Sequence, residues 1–462
     1  MPCTISKQHL IDLLGATSSG ATAHISASGV ATDSREVTGG ELFVALPGEK
    51  MHGHAFVSTA FERGASLLLV ESTEPFAGVD PERCIVVPDS LAALGTLAAW
   101  WRASHPIPVL GVTGSVGKTT TKELCACILL AHSQGSYSRK SFNNHVGVPL
   151  SLLSIGQEAA WAVIEMGMNH AGEIRSLTAL AQPTVAVITT IAPAHIENLG
   201  SLENIVDAKL EIAEGLPPEG TLILNADSEL LVSMAREKLP HQPIRTFGSH
   251  KDATLCVLKI GGRGIEGISV AIEFAGERPE PFVVPIMGKH NGMNIAASIL
   301  AAKTLIPEIS WDTIRRGLSR FTTPDMRLRR YPTPSGMQVI DDSYNANPES
   351  MRALIAIARE TAEQGREVGL VLGDMLELGD FAPEAHREIG RLAAEINPLF
   401  IAAVGPHSQL LAEEAQRTGA TVSWFPSAKE AAAASAEFGC EVLFVKASRG
   451  TGLDAVVQAI VG

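Results

Sequence analysis

The stretch Val109-Leu110-Gly111-Val112-Thr113-Gly114-Ser115-Val116-Gly117-Lys118-Thr119-Thr120 decides the fold. An apolar run suited to a buried strand enters a Gly/Ser turn, and Lys118, Thr119 and Thr120 then open a helical pattern. That order builds a site for a nucleoside triphosphate. Backbone N–H groups of Gly114, Ser115, Val116 and Gly117 can wrap phosphate oxygens, and the helix N-terminus adds positive potential. Lys118 can reach the outer phosphates and the Thr119 hydroxyl can ligate Mg²⁺. The spacing departs from the usual Gly-x-x-x-x-Gly-Lys, which would place glycine at 112, where Val112 stands between Gly111 and Gly114.

The rest of the composition narrows the class. A chain of 462 residues with 45% hydrophobic content holds two to four domains with real cores. A net charge of −14 argues against nucleic acid as a partner, although a local basic pocket for phosphate is compatible with it. The six cysteines are scattered without a CxxC pair, which suits a reducing compartment and offers no zinc site. Met1 to Leu14 lacks a charged start followed by an apolar run, and the apolar stretches 91–101 and 185–194 are too short to span a bilayer. The expectation is a cytoplasmic protein without membrane insertion.

Two proline-bearing connectors, His105-Pro106-Ile107-Pro108 and Thr322-Thr323-Pro324, divide the chain into blocks 1–106, 107–323 and 324–462. The first block carries strand-like runs at 42–46, 67–70 and 85–87. The second adds 161–165, 184–190 and 222–225, separated by helical patterns that imply a parallel sheet with crossovers. The third repeats strand and helix at 368–372, 400–404, 422–425 and 442–445, and Asn347-Pro348-Glu349 reads as a helix start. The predicted class is α/β. The last domain is Rossmann-like but has no Gly-x-Gly-x-x-Gly turn, so a dinucleotide cofactor is not expected.

Polar residues at predicted strand ends supply the remaining candidates. Glu165 closes an apolar strand near the phosphate loop, where a carboxylate can hold Mg²⁺, or simply be solvated. His195 follows the next strand at the same sheet edge. Lys209 falls in a helical pattern over 201–214, and its spacing alone reads as a surface lysine. Asn291 and Asn294, one turn apart, can present amides to a nucleotide, with helix capping by Asn291 as the competing reading. Asp341-Asp342-Ser343-Tyr344-Asn345-Ala346-Asn347-Pro348 concentrates more polarity on one loop than capping requires.

Together these segments resemble the Mur ligases, ATP-dependent amide-forming enzymes of peptidoglycan precursor synthesis. Asp33-Ser34-Arg35 and Gly40–Gly48 resemble the domain that binds the uridine-diphosphate substrate. Gly111–Glu123, Asn143–Pro149, Glu165-Met166-Gly167 and the His195 loop resemble the central P-loop ATPase domain. Asp342–Pro348, Leu372–Gly379 and Lys446–Arg449 resemble the C-terminal domain. Tyr-Asn-Ala-Asn-Pro at 344–348, Gly-Asp-Met at 373–375 and the absence of Asp-Asn-Pro-Arg favour the branch that adds D-alanyl-D-alanine over the tripeptide-forming branch.

The resemblance implies a three-domain fold and a function. An ATP-dependent ligase would join D-alanyl-D-alanine to UDP-N-acetylmuramoyl-tripeptide through an acyl phosphate, with ATP and Mg²⁺, as a monomer. By position, Gly114–Thr120, Asn291, Arg327 and Asp342 would bind nucleotide. Thr119, Glu165, His195 and a carbamylated Lys209 would bind metal. Lys118, Lys209, His195 and Glu165 would serve catalysis, and Ser34, Arg35, Asn144, Asn345 and Asn347 would meet substrate. Thr190, Met326, Met51-His52 and Leu453-Asp454 depart from the family pattern. A tripeptide-forming ligase and a non-catalytic nucleotide-binding regulator are the alternatives.

Overall fold

The computed structural model describes residues 4–18, 24–48, 51–72, 74–192, 199–323 and 325–462. The chain forms two compact units. One comprises Met1–Val257, Glu273–Glu277 and Met293–Gly317; the other comprises Leu258–Ile272, Arg278–Gly292 and Leu318–Gly462.

The first unit contains two parallel sheets. The smaller orders Val30–Ala31, Leu42–Val44, Leu67–Val70 and Cys84–Val86 side by side. The larger runs from Ile244–Gly248 through Thr221–Asn225, Val185–Ile188, Val109–Thr113 and Ala162–Glu165 to Ser136–Tyr137. Its inner strands are apolar on both faces because crossover helices cover both sides, which explains continuous runs where a half-exposed strand would alternate. Val112 pairs with Glu165, and Thr113 with Ile188, so the ends of three strands meet at the phosphate loop.

The predicted connector before this sheet is held by one cation. Helix Ser90–Ala103 starts at Asp89, whose side chain accepts from the Leu91 and Ala92 N–H groups. At its far end the buried Arg102 donates to the carbonyls of Ala181, His105, Ile107 and Gln182, which fixes the His105–Pro108 path against the larger sheet's helices. Helix 201–214, as read from the sequence, is α-helical over Leu202–Leu210 and tightens to a 3-10 turn over Glu211–Gly215.

The second unit carries a sheet ordered Arg329–Pro332, Gln338–Asp341, Val442–Lys446, Val368–Gly373, Phe400–Val404 and Val422–Phe425. The first pair is antiparallel and the others are parallel. Asn347 caps helix Pro348–Glu363 through a reciprocal bond with Ser350, the start that the Asn-Pro-Glu sequence predicts. An antiparallel pairing of Ile268–Val270 with Phe282–Val284 also belongs to this unit and has no counterpart among the sequence-read elements.

Candidate nucleotide and metal site

The phosphate loop links strand Val109–Thr113 to helix Lys118–Leu130. Its conformation requires glycine at both ends. Gly114 has φ +148° and a Cβ there would lie 2.0 Å from Thr189 Oγ1; Gly117 has φ +86° and opens the helix. The neighbouring segment braces the loop: Ser115 N–H donates to Thr190 O at 2.7 Å, Ser115 Oγ to Ala192 O at 3.0 Å, and Thr189 Oγ1 to Val116 O at 2.6 Å. Lys118 arches back over the loop, its Nζ donating to Gly114 O at 2.8 Å and Ser115 O at 3.2 Å.

One helical step further, the buried Thr119 hydroxyl donates to Glu165 Oε1 at 3.2 Å. Asn143 Nδ2 donates to the same oxygen at 2.8 Å. Glu165 has no solvent exposure, and its Oε2 is buried without a hydrogen-bond partner. A buried carboxylate oxygen left in that state, beside a threonine hydroxyl at a helix N-terminus, fits a divalent cation. Among the described residues no three His, Cys, Asp or Glu side chains group as a ready metal cage. His195 lies outside the described residues.

Lys209 is buried on helix Leu202–Leu210. Burial pushes its ammonium down from 10.5 to about 7, and the charge of Lys118 adds to the effect. Its environment is therefore unlike that of the surface lysine suggested by spacing alone.

Asn294 backs the loop helix from behind, its Oδ1 accepting from Thr121 Oγ1 at 3.4 Å. In the second unit, Asn291 Nδ2 donates to Met287 O at 2.8 Å, a bond back to the preceding turn. There Arg327 lies over the Tyr344 ring, its guanidinium carbon 4.6 Å from the centroid. The residues on either side, Met326 (φ +60°) and Leu328 (φ +57°), are left-handed. The backbone at Met326 is one that glycine adopts without strain. Asp342 Oδ1 accepts from Leu328 N–H at 3.1 Å, and Oδ2 accepts from Lys446 Nζ at 2.5 Å. Burial raises the Asp342 carboxyl while Lys446 opposes that rise.

The expected substrate residues are all present, several with local partners. Arg35 is exposed and forms a fork with Asp33, which holds the Asp33 carboxyl at about 2, and Ser34 is buried beside them. Asn144 Oδ1 accepts from Val146 and Gly147 N–H groups, Asn345 Oδ1 from Ala346 N–H, and Asn347 caps its helix. Sequence reading passed over Asn143 and Lys122. The available signal was position: Lys122 follows Thr119 by one helical turn, and Asn143 adjoins the residue chosen.

Three family models match the chain: the Mur ligase family catalytic domain over residues 26–102, the Mur ligase middle domain over 112–302 and the Mur ligase glutamate ligase domain over 326–449. The UDP-N-acetylmuramoyl-tripeptide–D-alanyl-D-alanine ligase of Bacillus subtilis (strain 168) is 38% identical, covering 94% of this chain and 93% of the relative. The ligase of the same name from Escherichia coli K12 is 34% identical over 88% and 87%. A crystal structure of MurF from Acinetobacter baumannii superposes with a TM-score of 0.88 at 29% identity, covering 100% of this chain and 99% of that one. With this similarity running nearly end to end, over an α/β fold that carries the phosphate loop and its buried carboxylate, the chain belongs to the Mur ligase family.

Proposed function

We propose that this protein joins D-alanyl-D-alanine to the terminal carboxylate of UDP-N-acetylmuramoyl-tripeptide, with ATP giving ADP and phosphate. The observation that carries the reading is the braced Gly114–Thr119 loop beside Glu165, in a chain that matches ligases of that name over nine-tenths of its length. Domains 1–106, 107–323 and 324–462 are proposed for the uridine substrate, ATP and the incoming amine; the three matched family segments fall inside them.

A carboxylate is a poor electrophile, so activation must precede amide formation. The γ-phosphoryl group of ATP passes to a carboxylate oxygen of the tripeptide and ADP departs. The amine nitrogen of the dipeptide then attacks the acyl carbon, the bond to phosphate breaks, and the nitrogen loses its proton. The loop N–H groups and Lys118 hold the phosphates and offset the charge that moves. Asn291, Arg327 and Asp342 are proposed nucleotide contacts. Ser34, Arg35, Asn144, Asn345 and Asn347 are proposed substrate contacts.

Thr119 and Glu165 would hold Mg²⁺, with His195 and Lys209 as further ligands. The ion's contribution is neutralisation of phosphate charge. For Lys209 to serve, its nitrogen must add to carbon dioxide and lose a proton, turning a cation into a carbamate anion. Only the neutral amine does so, and a lysine held at about 7 supplies it near neutral pH. We further propose a cytoplasmic monomer; among the described residues no helix is long and apolar enough to cross a membrane.

The test is phosphate release from ATP with UDP-N-acetylmuramoyl-tripeptide, with and without D-alanyl-D-alanine, followed by product mass. Release that requires the dipeptide, with a product heavier by one such unit, is the expected result. Release with a single amino acid would instead assign a tripeptide-forming specificity, and no release would leave a non-catalytic nucleotide binder.

A further inference from the structure

We propose that Lys122 is a positioning residue of the phosphoryl-transfer site: its buried ammonium fastens segment 138–140 to the phosphate-loop helix and sets the orientation in which Glu165 presents Oε2. The inference rests on the reading of Glu165 as a cation ligand.

Lys122 sits on helix Lys118–Leu130 without solvent exposure. A lysine is removed from water only at considerable cost, so its partners must compensate it fully. They do. Nζ donates to Ser138 O at 2.8 Å and Lys140 O at 2.6 Å, and lies 2.8 Å from Glu123 Oε1. Two hydrogen bonds and the Glu123 carboxylate thus surround the ammonium. Glu165 Oε2, at 3.9 Å, feels the charge without receiving a hydrogen bond.

The geometry closes a ring around the carboxylate. Glu165 N–H donates to Ser138 Oγ at 3.1 Å, the same residue whose carbonyl Lys122 holds. Thr119, three residues before Lys122, and Asn143 both donate to Oε1. Oε1 thus accepts two hydrogen bonds, while the buried Oε2 accepts none and faces the Lys122 ammonium. The segment is held against its own preference: Lys140 has φ +50°, a conformation uncommon for non-glycine residues. Its carbonyl is one of the two that Lys122 grips.

A partner one step removed from a metal ligand typically changes metal affinity or activity by about 10- to 100-fold when removed. The experiment uses the full-length protein and Lys122→Gln and Lys122→Met variants. ADP binding is measured by calorimetry in EDTA and across a Mg²⁺ series, beside kcat and KM. The expected result is unchanged ADP binding in EDTA, with a Mg²⁺ requirement raised about 10- to 100-fold and kcat lowered. KM for the dipeptide should hold, and Gln, which keeps two N–H donors, should be the milder change.

Folded variants with the parent's Mg²⁺ requirement overturn the proposal. So do variants that fail to fold at all, since Lys122 would then be structural only. A parent protein whose ADP binding ignores Mg²⁺ overturns the cation reading at Glu165 itself.

Discussion

Asn143 Nδ2 donates to Glu165 Oε1 at 2.8 Å, while its neighbour Asn144 turns the other way and accepts from the Val146 and Gly147 N–H groups. Two adjacent and chemically identical side chains are thereby divided between a buried carboxylate and a helix start. Replacing each separates the two tasks. Asn143→Ala should lower kcat by about 10- to 100-fold with little loss of stability. Asn144→Ala should cost about 1 kcal/mol of stability through its lost bonds to the Val146 and Gly147 N–H groups and, as a proposed substrate contact, should raise KM for the tripeptide substrate more than it lowers kcat. Steady-state kinetics beside denaturant melts checks both; equal effects on kcat would contradict the division.

The phosphate loop should be intolerant of a methyl group at Gly114. A Cβ there meets Thr189 Oγ1 at 2.0 Å and Thr189 N at 3.1 Å, and Thr189 is itself tied to Val116. At Gly117 the nearest atom is Asn294 Oδ1 at 2.3 Å, the end of a side chain that accepts the long bond from Thr121 Oγ1 and not a backbone atom. Both variants should bind ADP more weakly, Gly114→Ala by more than about tenfold and Gly117→Ala by less. Calorimetric titration orders them, and the reverse order would show that the helix start matters more than the brace.

Lys209 should make stability pH-dependent in metal-free, carbon-dioxide-free buffer. Its folded value of about 7 lies below the ordinary 10.5, so between these limits the unfolded chain binds a proton that the folded chain does not. Stability therefore rises with pH from about 7 toward 10.5 and the penalty is fully present below 7. Lys209→Met removes the penalty and should stabilise the protein most at acidic pH, by at most about 5 kcal/mol. Denaturant melts at several pH values read this out. A variant that loses stability equally at every pH would refute it.

The pair Lys446–Asp342 ties the strand Val442–Lys446 to the loop after Gln338–Asp341, and the same ammonium holds Asn345 O at 2.8 Å. Lys446→Met strands a carboxylate that burial already disfavours and should cost about 3–5 kcal/mol. Adding Asp342→Asn should recover part of that loss, which a double-mutant cycle measures. Additive losses would mean that the two groups do not depend on each other.

Much of this arrangement was legible before any tertiary information. The apolar run into Gly114–Gly117 dictated a strand, a phosphate loop and a helix because each signal lies within a dozen residues. Asn347-Pro348 dictated a helix start for the same reason. Continuous apolar strands separated by helices dictated parallel sheets. The antiparallel pair Ile268–Phe274 and Phe282–Val284 was passed over even though Ile268, Val270 and Ile272 alternate with half-buried positions as a strand pattern does, because the partner strand is only three residues long.

Only the tertiary structure decided the surroundings of Lys122, Lys209 and Asn143. On a helix, lysine at Lys122 or Lys209 reads as solvated, since local spacing records period and not what packs over it. Burial came from distant chain: Ser138 and Lys140 close over Lys122, and Glu165 arrives from a strand 46 residues beyond Thr119 and 22 beyond Asn143 to meet both. Hydrogen bonds and pKa shifts depend on that three-dimensional neighbourhood, whereas strand, turn and cap are set by steric and hydrogen-bonding preferences of adjacent residues.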